Sequence, residues 1–147
     1  MNYKKLCLLL TLLTPSICLA ESSYDAYKDS VKYCIEIENQ KSPVTINDLH
    51  GLKPEDIDKY LLLLKDIRIQ ECSKPYEMVA LVNEISSSND LINADKLSDR
   101  YLSIYIKRRM NTFSKNELSK LNQLDSSLKE KSLEVNMLSL WEKLKDN

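Results

Sequence analysis

Four cysteines, one histidine and many carboxylates are the side chains of this 147-residue chain that could do chemistry. Cysteines stand at positions 7, 18, 34 and 72, and no two have the CxxC spacing of a redox pair. Cys7 and Cys18 would leave with an N-terminal secretory signal, so Cys34 and Cys72 remain as an even pair. They read as one disulfide, the usual use of such a pair if the chain is exported. The loop it closes is about 39 residues, worth roughly 4 kcal/mol on the chain-entropy view. A thiolate nucleophile beside His50 would need one of those sulfurs free. Two cysteines and one histidine do not make a convincing four-ligand metal set. No catalytic residue, metal ligand or cofactor is therefore assigned.

Acid–base catalysis by carboxylates needs a positioned pair, and nothing singles one out. Glu55, Asp56 and Asp58 sit where a helix begins and negative charge meets the positive end of the dipole. Glu36 and Glu38 read as part of a solvated face. His50, beside Gly51, reads as a partly exposed residue at a helix end. The chain holds no Gly-rich phosphate loop, no GxSxG and no HExxH. Of the eight tyrosines, 24, 27, 60, 101 and 105 fall on apolar stripes, so packing explains them better than ligand stacking.

The first twenty residues read as a secretory signal. Lys4 and Lys5 supply its positive end, residues 6–13 its apolar stretch, and Cys18-Leu19-Ala20 a small-residue site for cleavage after Ala20. Lipidation at Cys18 is disfavoured, because Ile17 stands where a small residue is needed. The apolar stretch is short for a membrane span, so no stable insertion is expected after cleavage. The expected location is periplasmic or secreted. Residues 21–147 then make one domain with enough chain for a real core.

Losing Lys4 and Lys5 takes the net charge from −1 to −3. That balance argues against a nucleic-acid binder. The charge is uneven: residues 21–99 hold 16 acids and 9 bases, and residues 100–147 hold 6 acids and 10 bases. The two parts should attract, within one fold or between two copies.

The positioning elements are helices. Residues 53–72 organise the rest: Pro54 suits the first helical position, and Tyr60 to Leu64 is apolar nearly all round, as in a helix covered on several sides. A first helix runs from Ser22 or Ser23 to about Asn39, burying Tyr24, Tyr27, Val31, Cys34 and Ile35. Thr45 to Asp48 has the form of a capping box, and Gly51 falls where a left-handed residue is wanted. A disulfide from Cys34 to Cys72 makes two helix ends converge, so residues 40–53 must travel back along the central helix.

Ser73-Lys74-Pro75 should break the chain and start a third helix to about Ile85, with Met78, Val79, Leu81, Val82 and Ile85 on its apolar side. Residues 86–90 are a polar linker or a hinge. A fourth helix is expected from about 90 to 112, ending in Lys107-Arg108-Arg109. Ser114 to Glu117 is a capping box that opens a long final helix to about Lys145, bending near Ser126-Ser127 or serving two neighbours with two faces.

The fold expected is all-α, about a five-helix bundle stapled by Cys34–Cys72, with a long C-terminal helix. The function expected is protein binding, as an adaptor, inhibitor, immunity protein or chaperone, and no enzyme. Trp141, with Leu138 and Leu144, is the natural anchor for a partner or for a homodimer through the last helix, and Arg108 and Arg109 are a secondary surface. The alternatives are a lipid or small-molecule carrier with an apolar cavity between the fourth and fifth helices, and a hydrolase using a buried, unpaired carboxylate.

Overall fold

In the computed structural model, which describes residues 22–87 and 94–146, Ser22 opens the first helix by accepting the Asp25 N–H on its hydroxyl. That helix, α1 (Ser23–Asn39), turns Tyr27, Cys34 and Glu38 inward. The expected signal sequence and residues 88–90 of the expected linker lie outside the described residues.

The central helix begins at Pro54 as its sequence predicts. A short α2 (Pro54–Asp56), a π-helical turn (Ile57–Leu61) and α3 (Leu62–Ser87) follow one another without a gap. Leu61, Leu63 and Leu64 are all fully buried and Tyr60 nearly so, while Leu62 is partly exposed, so the apolar run is covered on all sides but one. The Asp56 carboxylate caps the start, accepting the Lys53 N–H at 2.9 Å.

Contrary to expectation, Ser73-Lys74-Pro75 does not end this helix, and α3 passes through Pro75. Proline removes only the bond to the Glu71 carbonyl, and Glu71 is exposed, so water can replace the lost donor. The buried Ser73 hydroxyl donates to the Ile69 carbonyl at 2.9 Å. The helix is also clamped there, since Cys34 and Cys72 form the expected disulfide with Cα atoms 5.9 Å apart.

Cys72 is thus at mid-helix, and the end of α1 meets the middle of α3 rather than its end. The facing pairs Tyr27–Glu77, Cys34–Cys72 and Glu38–Arg68 show that the two helices run antiparallel. The connector still runs back along the first half of the central helix, as expected. It contains a 3-10 turn (Ile46–Leu49), where Thr45 donates its N–H and hydroxyl to Asp48. It ends at Gly51, whose φ of +78° is the backbone conformation that glycine tolerates best.

The expected fourth helix is two, α4 (Ala94–Ser98) and α5 (Leu102–Met110), separated by an extended Tyr101. The break forms because the first N–H groups of α5 have better acceptors elsewhere. Leu102 N–H donates to the Tyr27 hydroxyl at 3.2 Å and Ser103 N–H to the Glu77 carboxylate at 2.7 Å. The Tyr101 ring, buried, stacks on Tyr27 and meets Tyr24 edge-on.

The long C-terminal helix is also corrected. It is α6 (Lys115–Ser127) and α7 (Met137–Lys145), joined by a segment that includes a two-residue strand β2 (Lys131–Ser132), parallel to β1 (Ser42–Pro43). Ser126 and Ser127 bond back to the Asn122 and Leu124 carbonyls as α6 ends. The Arg68 guanidinium then donates to the Lys131 carbonyl, the Glu38 carboxylate accepts the Leu133 N–H, and Leu128 and Leu133 are wholly buried. These partners come from α1 and α3, which a continuous helix could not have reached.

Most of the core lies around the central helix, where Leu61, Leu63 and Leu64 meet Ile106, Leu121, Leu128, Leu133 and Leu140. A smaller cluster of Tyr27, Ala80, Leu97 and Tyr101 closes the other end. Part of the uneven charge is paired inside the fold: Lys120 pairs with Asp56, Lys131 with Asp48, Arg100 with Glu84 and Arg108 with Asp95. Among the described residues no helix is long and apolar enough to cross a membrane.

Candidate interaction groove

Asn136 starts α7 by accepting the Ser139 N–H at 3.0 Å. The helix buries Leu140 and packs Met137 and Leu144 against the core. Helical spacing then leaves Leu138 and Trp141 on the outer side, 65% and 37% exposed. Across from them lie Pro54, Glu55, Ile57, Asp58 and Leu62, on the first turns of the central helix. The two walls enclose an open groove of about 520 Å³, with Met137 at its base. Lys145 lies over the Trp141 ring, its Nζ 5.2 Å from the centroid.

Of the five surface residues singled out in the sequence, Trp141 and Leu138 share this groove. Leu144 is half-buried and belongs to the core. Arg109 sits nearby, donating to the Asp58 carbonyl at 3.2 Å and to the Tyr105 hydroxyl at 3.1 Å. Arg108 is apart from it, held by Asp95 at 2.7 Å and by the Ser98 hydroxyl.

Two further hollows flank the disulfide. One, of about 560 Å³, is lined by Glu38, Arg68, Lys129 and both cysteines. The other, of about 380 Å³, lies between Tyr33 and Tyr76. Glu38 is not on a solvated face, as its sequence position suggests, but 5% exposed. Burial pushes its carboxyl upward, yet hydrogen bonds from Lys41, the Leu133 N–H and Arg68 outweigh that and hold it below the usual range. Arg68 also reaches Asp125 at 3.2 Å, so one guanidinium joins α1, α3, α6 and the β2 segment.

The sequence carried one signal for this cluster. Glu38 stands four positions after Cys34 and continues the buried stripe of α1. Glu77 had no such flag. At 1% exposure it accepts from Ser103 N–H and from Gln70, and faces the Tyr27 hydroxyl at 3.5 Å.

His50 is exposed. Among the described residues no group of three His, Cys, Asp or Glu could hold a metal ion. Asp66 differs from Glu38 and Asp56. Its carboxylate takes part in no hydrogen bond among the described residues, and burial raises its carboxyl above the ordinary value. It lines none of the three hollows described above.

Met78, Val79, Val82 and Ile85 do not face the core as expected. All four are exposed on the outer side of α3, where neither α1 nor α5 covers them. No protein family, curated protein or solved structure matches this chain.

Proposed function

We propose that this is an exported protein that acts by binding another protein, and that the groove between α2 and α7 is the binding surface. The observation that carries the reading is the exposure of Leu138 and Trp141 along an apolar hollow on an otherwise well-packed core. Large apolar side chains left in water beside a concavity mark interaction sites. Tryptophan is also over-represented among the residues that dominate interfaces. The Cys34–Cys72 bridge supports export, because such bridges persist in oxidising compartments. An adaptor, inhibitor, immunity protein or chaperone would each use such a surface.

The test is site-specific photocrosslinking in the exporting cell, with benzoylphenylalanine at position 138 and, as a control, at the exposed position 36. A discrete protein adduct from position 138, lost when Trp141 is replaced by alanine, supports the reading. No adduct, or the same pattern from position 36, sinks it.

A further inference from the structure

We infer that the groove takes an amphipathic helix whose polar edge carries lysine or arginine. This rests on reading the groove as a protein-binding surface and adds the chemistry of the partner. The base and one wall are apolar: Ile57, Leu62 and Met137, then Leu138 and Trp141. The other rim is acidic. Glu55 and Asp58 stand three residues apart on the first turns of the central helix, a spacing that puts both on one face.

Both side chains are exposed, and neither takes part in a hydrogen bond or ion pair among the described residues. Their neighbours differ. Asp56 holds the Lys53 N–H and Lys120, and Glu117 holds Lys59 and the Ser114 N–H. The capping role at this helix start is already filled by Asp56, so the Glu55 and Asp58 side chains are left on the groove's rim.

Two cations beside the groove are engaged elsewhere. Arg109 donates to a backbone carbonyl and to Tyr105, and Lys145 lies over Trp141 on the opposite wall. An incoming helix that lays its apolar side on Trp141 and Leu138 brings its polar edge against two unpaired carboxylates. A cationic edge is complementary, and an acidic one is repelled. Side chains rather than backbone make the recognition, because β1 and β2 pair with each other and do not line the groove.

Trp141 is the only tryptophan in the chain, so its emission reports on the groove directly. The purified protein is titrated with two synthetic amphipathic peptides that lack tryptophan. They share one leucine face and carry either lysine or glutamate on the polar face. The lysine peptide is expected to blue-shift Trp141 emission and to bind roughly five- to tenfold tighter at low salt, a preference that shrinks in 1 M salt.

The double variant E55K/D58K is expected to reverse the order of the two peptides. E36K/E130K makes the same change in net charge at exposed sites outside the groove, and is expected to keep the order. Equal affinity for both peptides overturns the inference while leaving the groove as a binding surface. So does an unchanged order in E55K/D58K, or a reversal in E36K/E130K as well. No emission change with either peptide also overturns it, and the crosslinking at position 138 then decides separately whether the groove binds protein at all. Circular dichroism of each variant confirms that it is folded.

Discussion

Glu77 shows how one buried carboxylate can shape a fold. It accepts the Ser103 N–H at 2.7 Å and fixes where α5 begins. Glu77→Ala leaves that donor without a partner and should cost roughly 2–3 kcal/mol in urea unfolding, whereas Glu77→Gln keeps an acceptor oxygen and should cost less. A second residue-scale prediction concerns pH. Glu38 and Asp56 are both held below the ordinary carboxylate range: burial raises each, and hydrogen bonds from Lys41, the Leu133 N–H and Arg68, or from the Lys53 N–H and Lys120, more than reverse it. A depressed folded pKa means that stability is complete above the unfolded values of 4.5 and 3.8 and is lost as pH falls through the folded ones. Asp66 has the opposite sign, since burial raises its folded pKa and its ionised form therefore destabilises the fold. Asp66→Asn should raise Tm at pH 7, and the gain should vanish below its unfolded pKa of 3.8.

At the scale of elements, the segment between α6 and α7 depends on two side chains from other helices. Glu38→Ala removes the acceptor for the Leu133 N–H and strands Arg68, 10% exposed at its side chain, without its most buried anion. The expected loss is about 3 kcal/mol, with faster amide exchange at Leu133 as the specific sign. The outer face of α3 predicts the reverse. Met78→Lys or Val82→Lys should change stability by no more than about 0.5 kcal/mol, because both residues are exposed.

These elements also show what could be read without coordinates. Local chemistry was legible. The Ser22 and Ser114 caps, the Pro54 start, the Thr45–Asp48 turn and the left-handed Gly51 each depend on neighbours within a few residues. Trp141 and Leu138 could be named as anchors from helical spacing, but their opposite wall could not, because Glu55 and Leu62 lie far away in sequence. Three helix boundaries were misread for the same reason. What splits 94–110 and 115–145, and what carries α3 through Pro75, are contacts from distant parts of the chain: Tyr27, Glu38, Arg68, Glu77 and Cys34.

For the molecule as a whole, the bridge between α1 and α3 is the one covalent constraint among the described residues, spanning 38 positions. Replacing both cysteines by serine should lower unfolding stability by roughly 4 kcal/mol and leave the helical content near its present level under native conditions. That result would be measured by urea denaturation of both forms.

The placement of that bridge also divides the molecule into a covalently closed part and a part held without a cross-link. Both of its sulfurs belong to the amino-terminal half, so among the described residues nothing beyond Cys72 is cross-linked covalently to the rest. The hairpin it closes holds Glu38 and Arg68 as an ion pair, and residues 125–133 meet that pair through Asp125, the Lys131 carbonyl and the Leu133 N–H. The last third of the chain is therefore held by packing and polar contacts alone, and the Trp141 wall of the groove has no covalent cross-link to the wall opposite.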